Sequence, residues 1–121
     1  MRHIDRAFIV IAIVYALAGQ GLGIYMGINQ DFQHRNLHAH INLVGWASLA
    51  LAGLIYRGYP VLADRALARW HFWIANAGAL LLTSGIFILD QSGVAVPVIA
   101  GSLLTIGGTA LLLANVLQGM E

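Results

Sequence analysis

No cysteine occurs anywhere in the chain, and this absence excludes disulfides, thiolate metal sites, covalent c-type haem attachment and cysteine nucleophiles together. Any metal must be held by histidine or oxygen. Charge is also scarce: 9% of the residues are Asp, Glu, Lys or Arg, against roughly a quarter in a soluble domain. The net charge is +1 and the arginines are scattered, which leaves no electrostatic footprint for nucleic acid. Charged side chains are missing from the interiors of the apolar stretches, where coupled pumps and voltage sensors keep theirs, and this argues against a coupled transporter. Only two prolines occur, and Pro97 falls in the first turn of a helix, where its missing N–H costs nothing.

Apolar surface is what the chain has in quantity: 60% of its 121 residues are hydrophobic and the mean hydropathy is +0.79. A hydrocarbon core of about 30 Å takes roughly 20 apolar residues per helix. Four stretches qualify, over residues 7–26, 37–56, 70–89 and 94–117. They predict one all-α membrane domain over residues 1–121, with four transmembrane helices in an up-down antiparallel arrangement because the connections are short. The first stretch follows Met-Arg-His-Ile-Asp-Arg, is long for a signal peptide and lacks a clear small-residue cleavage site, so it is expected to be a retained helix. Arg2, Arg6, Arg57, Arg65 and Arg69 fall on one side and only Arg35 on the other. The positive-inside rule then puts both termini in the cytoplasm, with a bacterial inner membrane as the expected bilayer.

Glycines mark helix packing. Gly19, Gly23 and Gly27 form a four-residue ridge in the first helix, and Gly78 with Gly85 and Gly101 with Gly108 lie on one face each of the third and fourth. Gly-Gln-Gly-Leu-Gly at 19–23 looks like a nucleotide loop, but such a loop needs a preceding strand, and this one is intramembrane. Asn42, Ser48, Asn76, Thr83, Thr105 and Asn115 are expected to hydrogen-bond between helices.

The chemistry is concentrated in Leu37-His38-Ala39-His40-Ile41-Asn42-Leu43-Val44-Gly45-Trp46. Two imidazoles near the end of a membrane helix are expensive and point to function, with interhelical hydrogen bonding as the bland alternative. Two residues along an α-helix turn a side chain by about 200°. His38 and His40 therefore point to opposite flanks and cannot clasp one ion, so each must serve a different neighbour. That suits a helix standing between two haems, each imidazole an axial ligand to one iron. His71 and His3 are expected near the opposite, cytoplasmic face and His34 to be exposed. If the helix begins early, His34 and His38 at i and i+4 could instead hold copper or zinc. Arg35 could pair with a haem propionate or simply sit among head groups, and Trp46 could pack beside a porphyrin edge.

His-Ala-His followed by Gly45-Trp46 resembles subunit I of the haem-copper oxidases, including the cbb3-type and nitric oxide reductase branches. In that family the first histidine of His-x-His binds a high-spin haem and the second a low-spin haem, near the start of the second helix of a four-helix arc. Three such arcs make the family's twelve-helix core. The resemblance implies that this chain is a single arc and that His38 and His40 are ligands of haem b. It also implies a homotrimer, in which His38 of one chain and His40 of the next grip a shared haem. A twofold dimer pairs like with like and leaves one histidine of each chain without a mate. The family's copper-site histidine pair and tyrosine are absent, so its oxygen or nitric oxide reduction is not carried over. Bis-histidine haem favours electron transfer with a redox partner that the sequence does not name.

Overall fold

The computed structural model describes residues 2–120, and its regular structure is helical throughout. Four helical spans are long and apolar enough to cross a membrane: Ile4–Asn29, Arg35–Gly58, Ala66–Ser92 and Val96–Gly119. The first is α1. The second is composite, with α2 (Arg35–His40), a π-helical segment (Ile41–Ser48) and α3 (Leu49–Gly58). A single helical turn, α4 (Pro60–Ala63), leads to the third span, α5, and the fourth is α6. The first three spans overrun both ends of their apolar stretches, because polar end residues such as Asp5, Arg35 and Gln91 continue the backbone ladder. The fourth instead starts two residues late, at Val96, with Pro97 in its first turn as expected.

Glycine sets the pairing. In the α5–α6 hairpin Gly78 faces Thr105, Gly85 faces Val98, Gly101 faces Leu82 and Gly108 faces Ala75. The paired numbers total 183 each time, which is an antiparallel register held over the whole contact. The backbones come so close that a methyl group on Gly85 would lie 2.6 Å from the Val98 nitrogen. Gly93, at φ 74°, closes the turn by donating its N–H to the Leu89 carbonyl. The first two spans pair likewise: Gly19 with Asn42, Gly23 with His38, Gly45 with Tyr15 and Gly53 with Ile9, totalling 60 to 62. Gly27 has no neighbour within 4 Å of where its Cβ would be, so within the chain the expected ridge works only at Gly19 and Gly23.

The two hairpins meet mainly at one end. Ile4, Phe8, Ala52, Tyr56, Leu62, Ala68 and Phe72 belong to the buried core there, beside the arginine-bearing loop. Asn115 is fully buried and ties that loop to α6, receiving the Arg65 Nε–H at 2.7 Å and donating to the Leu62 carbonyl at 3.1 Å. At the other end no residue of α2 is buried, and only Gly45 is buried in the π segment. Along α6, Val96, Ile99, Leu103, Ile106, Leu113 and Leu117 are exposed, a surface suited to lipid or another helix.

Candidate functional site

The histidine segment opens the second span at the loosely packed end. His34 precedes α2, and the His38 N–H reaches its carbonyl at 2.8 Å, so the helical turn is continuous through both. The His38 ring is half-buried and turns toward α1, where its Nδ1 lies 2.9 Å from the Gly19 carbonyl oxygen. A carbonyl can only accept, so Nδ1 carries the hydrogen and Nε2 keeps the lone pair. Asn42 Nδ2 is 2.9 Å from the His38 carbonyl and 3.4 Å from Nδ1, and with Nδ1 acting as donor the amide hydrogen goes to the carbonyl. Gly23 makes room for the ring: a methyl group there would sit 2.9 Å from Cε1 and 3.6 Å from each nitrogen.

His40 repeats the pattern with a different partner. Its Nδ1 lies 2.8 Å from the Asn36 carbonyl one turn earlier on its own helix, so it too donates through Nδ1 and offers Nε2. One ring is thus fixed by α1 and the other by α2 itself. An imidazole oriented by a carbonyl through one nitrogen, with a free lone pair on the other, is what an axial ligand requires. The residues present fit a haem at each Nε2.

Arg35 is exposed at the start of α2, and Trp46 is partly exposed in the π segment, two turns beyond His38. His34 is not the exposed residue expected from sequence. Its ring lies 5.6 Å from that of Phe87 on α5, and its Nδ1 is buried without a hydrogen-bond partner among the described residues. His34 therefore leans on α5 while His38 leans on α1. Among the described residues no three His, Asp or Glu side chains gather as a metal-holding group. A metal on His34 and His38 would need ligands from elsewhere.

Two features were not foreseen. The π segment begins at the residue after His40, with Ser48 Oγ donating at 2.7 Å to the Leu43 carbonyl five residues back. Such segments are rare and concentrate at functional sites. Its signal in the sequence was at most Gly45, where any Cβ would collide with the Tyr15 ring. His71, expected near the membrane boundary, is 4% exposed. Tyr56 OH lies 2.7 Å from its Nδ1 and the Phe8 ring packs at 5.1 Å, so two distant elements close over a residue whose sequence neighbour Arg69 suggested an interface.

No protein-family model, curated protein or solved structure matches this chain.

Proposed function

We propose that this chain is a membrane b-type cytochrome built as one arc of the haem-copper oxidase type. It works as a homotrimer in which His38 of one chain and His40 of the next hold a haem b between them. The observation that carries this reading is the shared geometry of the two imidazoles: each donates Nδ1–H to a backbone carbonyl and keeps Nε2 free, while the two are anchored on different helices. Three copies of four spans supply the twelve helices of the resembled core. The unfilled end of the bundle, where no residue of α2 is fully buried within the chain, is where a second chain docks. Arg35 pairs with a propionate and Trp46 packs at the porphyrin edge.

Haem iron held by two imidazoles supplies reversible one-electron chemistry and has no open coordination position, which fits electron transfer. The protein's part is to fix the ring planes through Gly19 and Asn36, to keep the surroundings apolar, and to place the site at one end of the membrane. The end carrying Arg2, Arg6, Arg57, Arg65 and Arg69 faces the cytoplasm of a bacterial inner membrane, so the haems lie toward the outer face.

The test is an oxidised and dithionite-reduced visible spectrum of protein purified from haem-competent cells, with iron, copper and zinc counted per chain. Sharp reduced α and β bands, about one iron per chain, and loss of both in His38→Ala and His40→Ala are expected. A featureless spectrum without iron overturns the reading. Copper or zinc in its place would point to His34 and His38. Native mass spectrometry is expected to give three chains, and a stable dimer would overturn the shared-haem arrangement.

A further inference from the structure

Between the second span and α6 runs a groove of about 270 Å³, lined by Val44, Leu49, Ala52, Ile55 and Leu112 with Ser48, Thr105, Thr109 and His71. It lies within the spans, so a ligand arrives through lipid. The hydrogen-bond inventory of its walls narrows what that ligand is. Ser48 Oγ donates to the Leu43 carbonyl at 2.7 Å, Thr105 Oγ1 to the Gly101 carbonyl at 2.9 Å and Thr109 Oγ1 to the Thr105 carbonyl at 3.1 Å. Every hydroxyl hydrogen is therefore spent on its own helix, and the three oxygens offer only lone pairs.

His71 is the one titratable group in this lining. It is more than nine-tenths buried, and Tyr56 OH occupies its Nδ1 at 2.7 Å, which leaves Nε2 for the groove. A hydrocarbon chain in this groove would leave those hydroxyl oxygens and the free ring nitrogen of His71 dry and unpaired. A ligand that brings its own hydroxyl satisfies one of them and presents its apolar body to Val44, Ile55 and Leu112. At about 270 Å³ the groove lies just below the usual range for drug-sized ligands, about 300–1,000 Å³, and suits a compact ring body.

We infer that this groove is a binding site for a lipid-soluble phenolic ring, a phenol or hydroquinone, whose hydroxyl bonds His71 or the neighbouring threonine oxygens. Tyr56 is a positioning residue: its hydroxyl fixes the ring of His71 and so the direction of Nε2. The site is separate from His38 and His40, and its occupancy is read without haem.

The test uses the full chain in lipid nanodiscs, with 1-naphthol and its methyl ether 1-methoxynaphthalene as probes and empty nanodiscs as the partition blank. Saturable 1-naphthol binding near one per chain is expected, with the ether at least about tenfold weaker, the equivalent of one hydrogen bond. His71→Phe should weaken 1-naphthol to the level of the ether. Because that variant disturbs the Phe8 and Tyr56 packing, Thr109→Val and Val44→Phe serve as a second pair. The first should lower 1-naphthol affinity alone; the second, which fills the groove, should abolish binding of both probes. Equal binding of the two probes, or 1-naphthol uptake no greater than in empty nanodiscs, overturns the inference. The haem spectrum is unaffected by either result, so this site and the haem site fail independently.

Discussion

Gly23→Ala tests how the imidazole is placed. The added methyl would lie 2.9 Å from His38 Cε1, whereas carbon atoms in contact settle at about 3.5–4.0 Å, so the ring must retreat by roughly 0.6–1.1 Å. A ring displaced that far no longer meets the Gly19 carbonyl at 2.9 Å in line. Overpacking of this kind costs about 1–3 kcal/mol, offset by up to about 1 kcal/mol for alanine over glycine in a helix. With the full offset the net is about 0–2 kcal/mol, and if it falls on the ligand geometry, haem affinity drops by up to about thirtyfold. Gly21→Ala is the control, because nothing lies within 4 Å of a Cβ there. The assay is Soret absorbance per chain during haem titration, paired with a detergent unfolding curve followed by circular dichroism. Gly23→Ala should lower haem binding, whereas Gly21→Ala should leave the Soret titration unchanged and, if anything, raise stability by up to about 1 kcal/mol. Identical behaviour of the two variants would refute the claim that Gly23 seats His38.

Three further outcomes follow from the packing. Gly101→Ala drives a methyl into the Leu82 backbone and should destabilise the α5–α6 hairpin by about 3 kcal/mol or more, whereas Gly107→Ala, whose nearest neighbour is Ile74 Cγ2 at 3.9 Å, should not destabilise it and should gain up to about 1 kcal/mol; unfolding curves of the pair decide. Asn115→Ala leaves the Leu62 carbonyl and the Arg65 guanidinium without their buried partner, and a loss of about 2–4 kcal/mol is expected in the same assay. Arg57→Gln removes a 3.5 Å pair with Asp5 whose arginine is 67% exposed, so its effect should stay below about 1 kcal/mol and shrink further as salt is added.

How much of this could be read from the residues depends on range. The four spans were legible because twenty apolar residues in a row have one solution in a bilayer, and the α5–α6 contact because Gly78, Gly85, Gly101 and Gly108 recur at seven-residue spacing on single faces. Gly27 keeps the period of Gly19 and Gly23, but no residue of the same chain comes within 4 Å of where its Cβ would be. The burial of His71 was hidden because Tyr56 and Phe8 come to it from other spans. His34 misled for the same reason, since Phe87 lies 53 positions away in the chain. The π segment has no composition of its own, and Ile-Asn-Leu-Val-Gly-Trp-Ala-Ser reads as ordinary α-helix until the hydrogen-bond spacing is seen.

The distribution of packing bears on the cofactor more directly than any single contact. The chain completes its core at the end where Phe8, Tyr56, Leu62 and Phe72 meet, and leaves it incomplete at the end that carries the imidazoles. A neutral imidazole has one donor and one acceptor. At both His38 and His40 the donor is satisfied by a carbonyl and the acceptor is left over. Away from water, an unmet acceptor costs about 1–3 kcal/mol; in the single chain both Nε2 atoms remain accessible, so that cost arises only where a neighbour covers them and offers no partner. Both lone pairs are held in fixed directions beside a surface the chain does not cover. On the proposed reading the acceptor lies outside the bundle, and an iron held between neighbouring chains would take up both lone pairs at once.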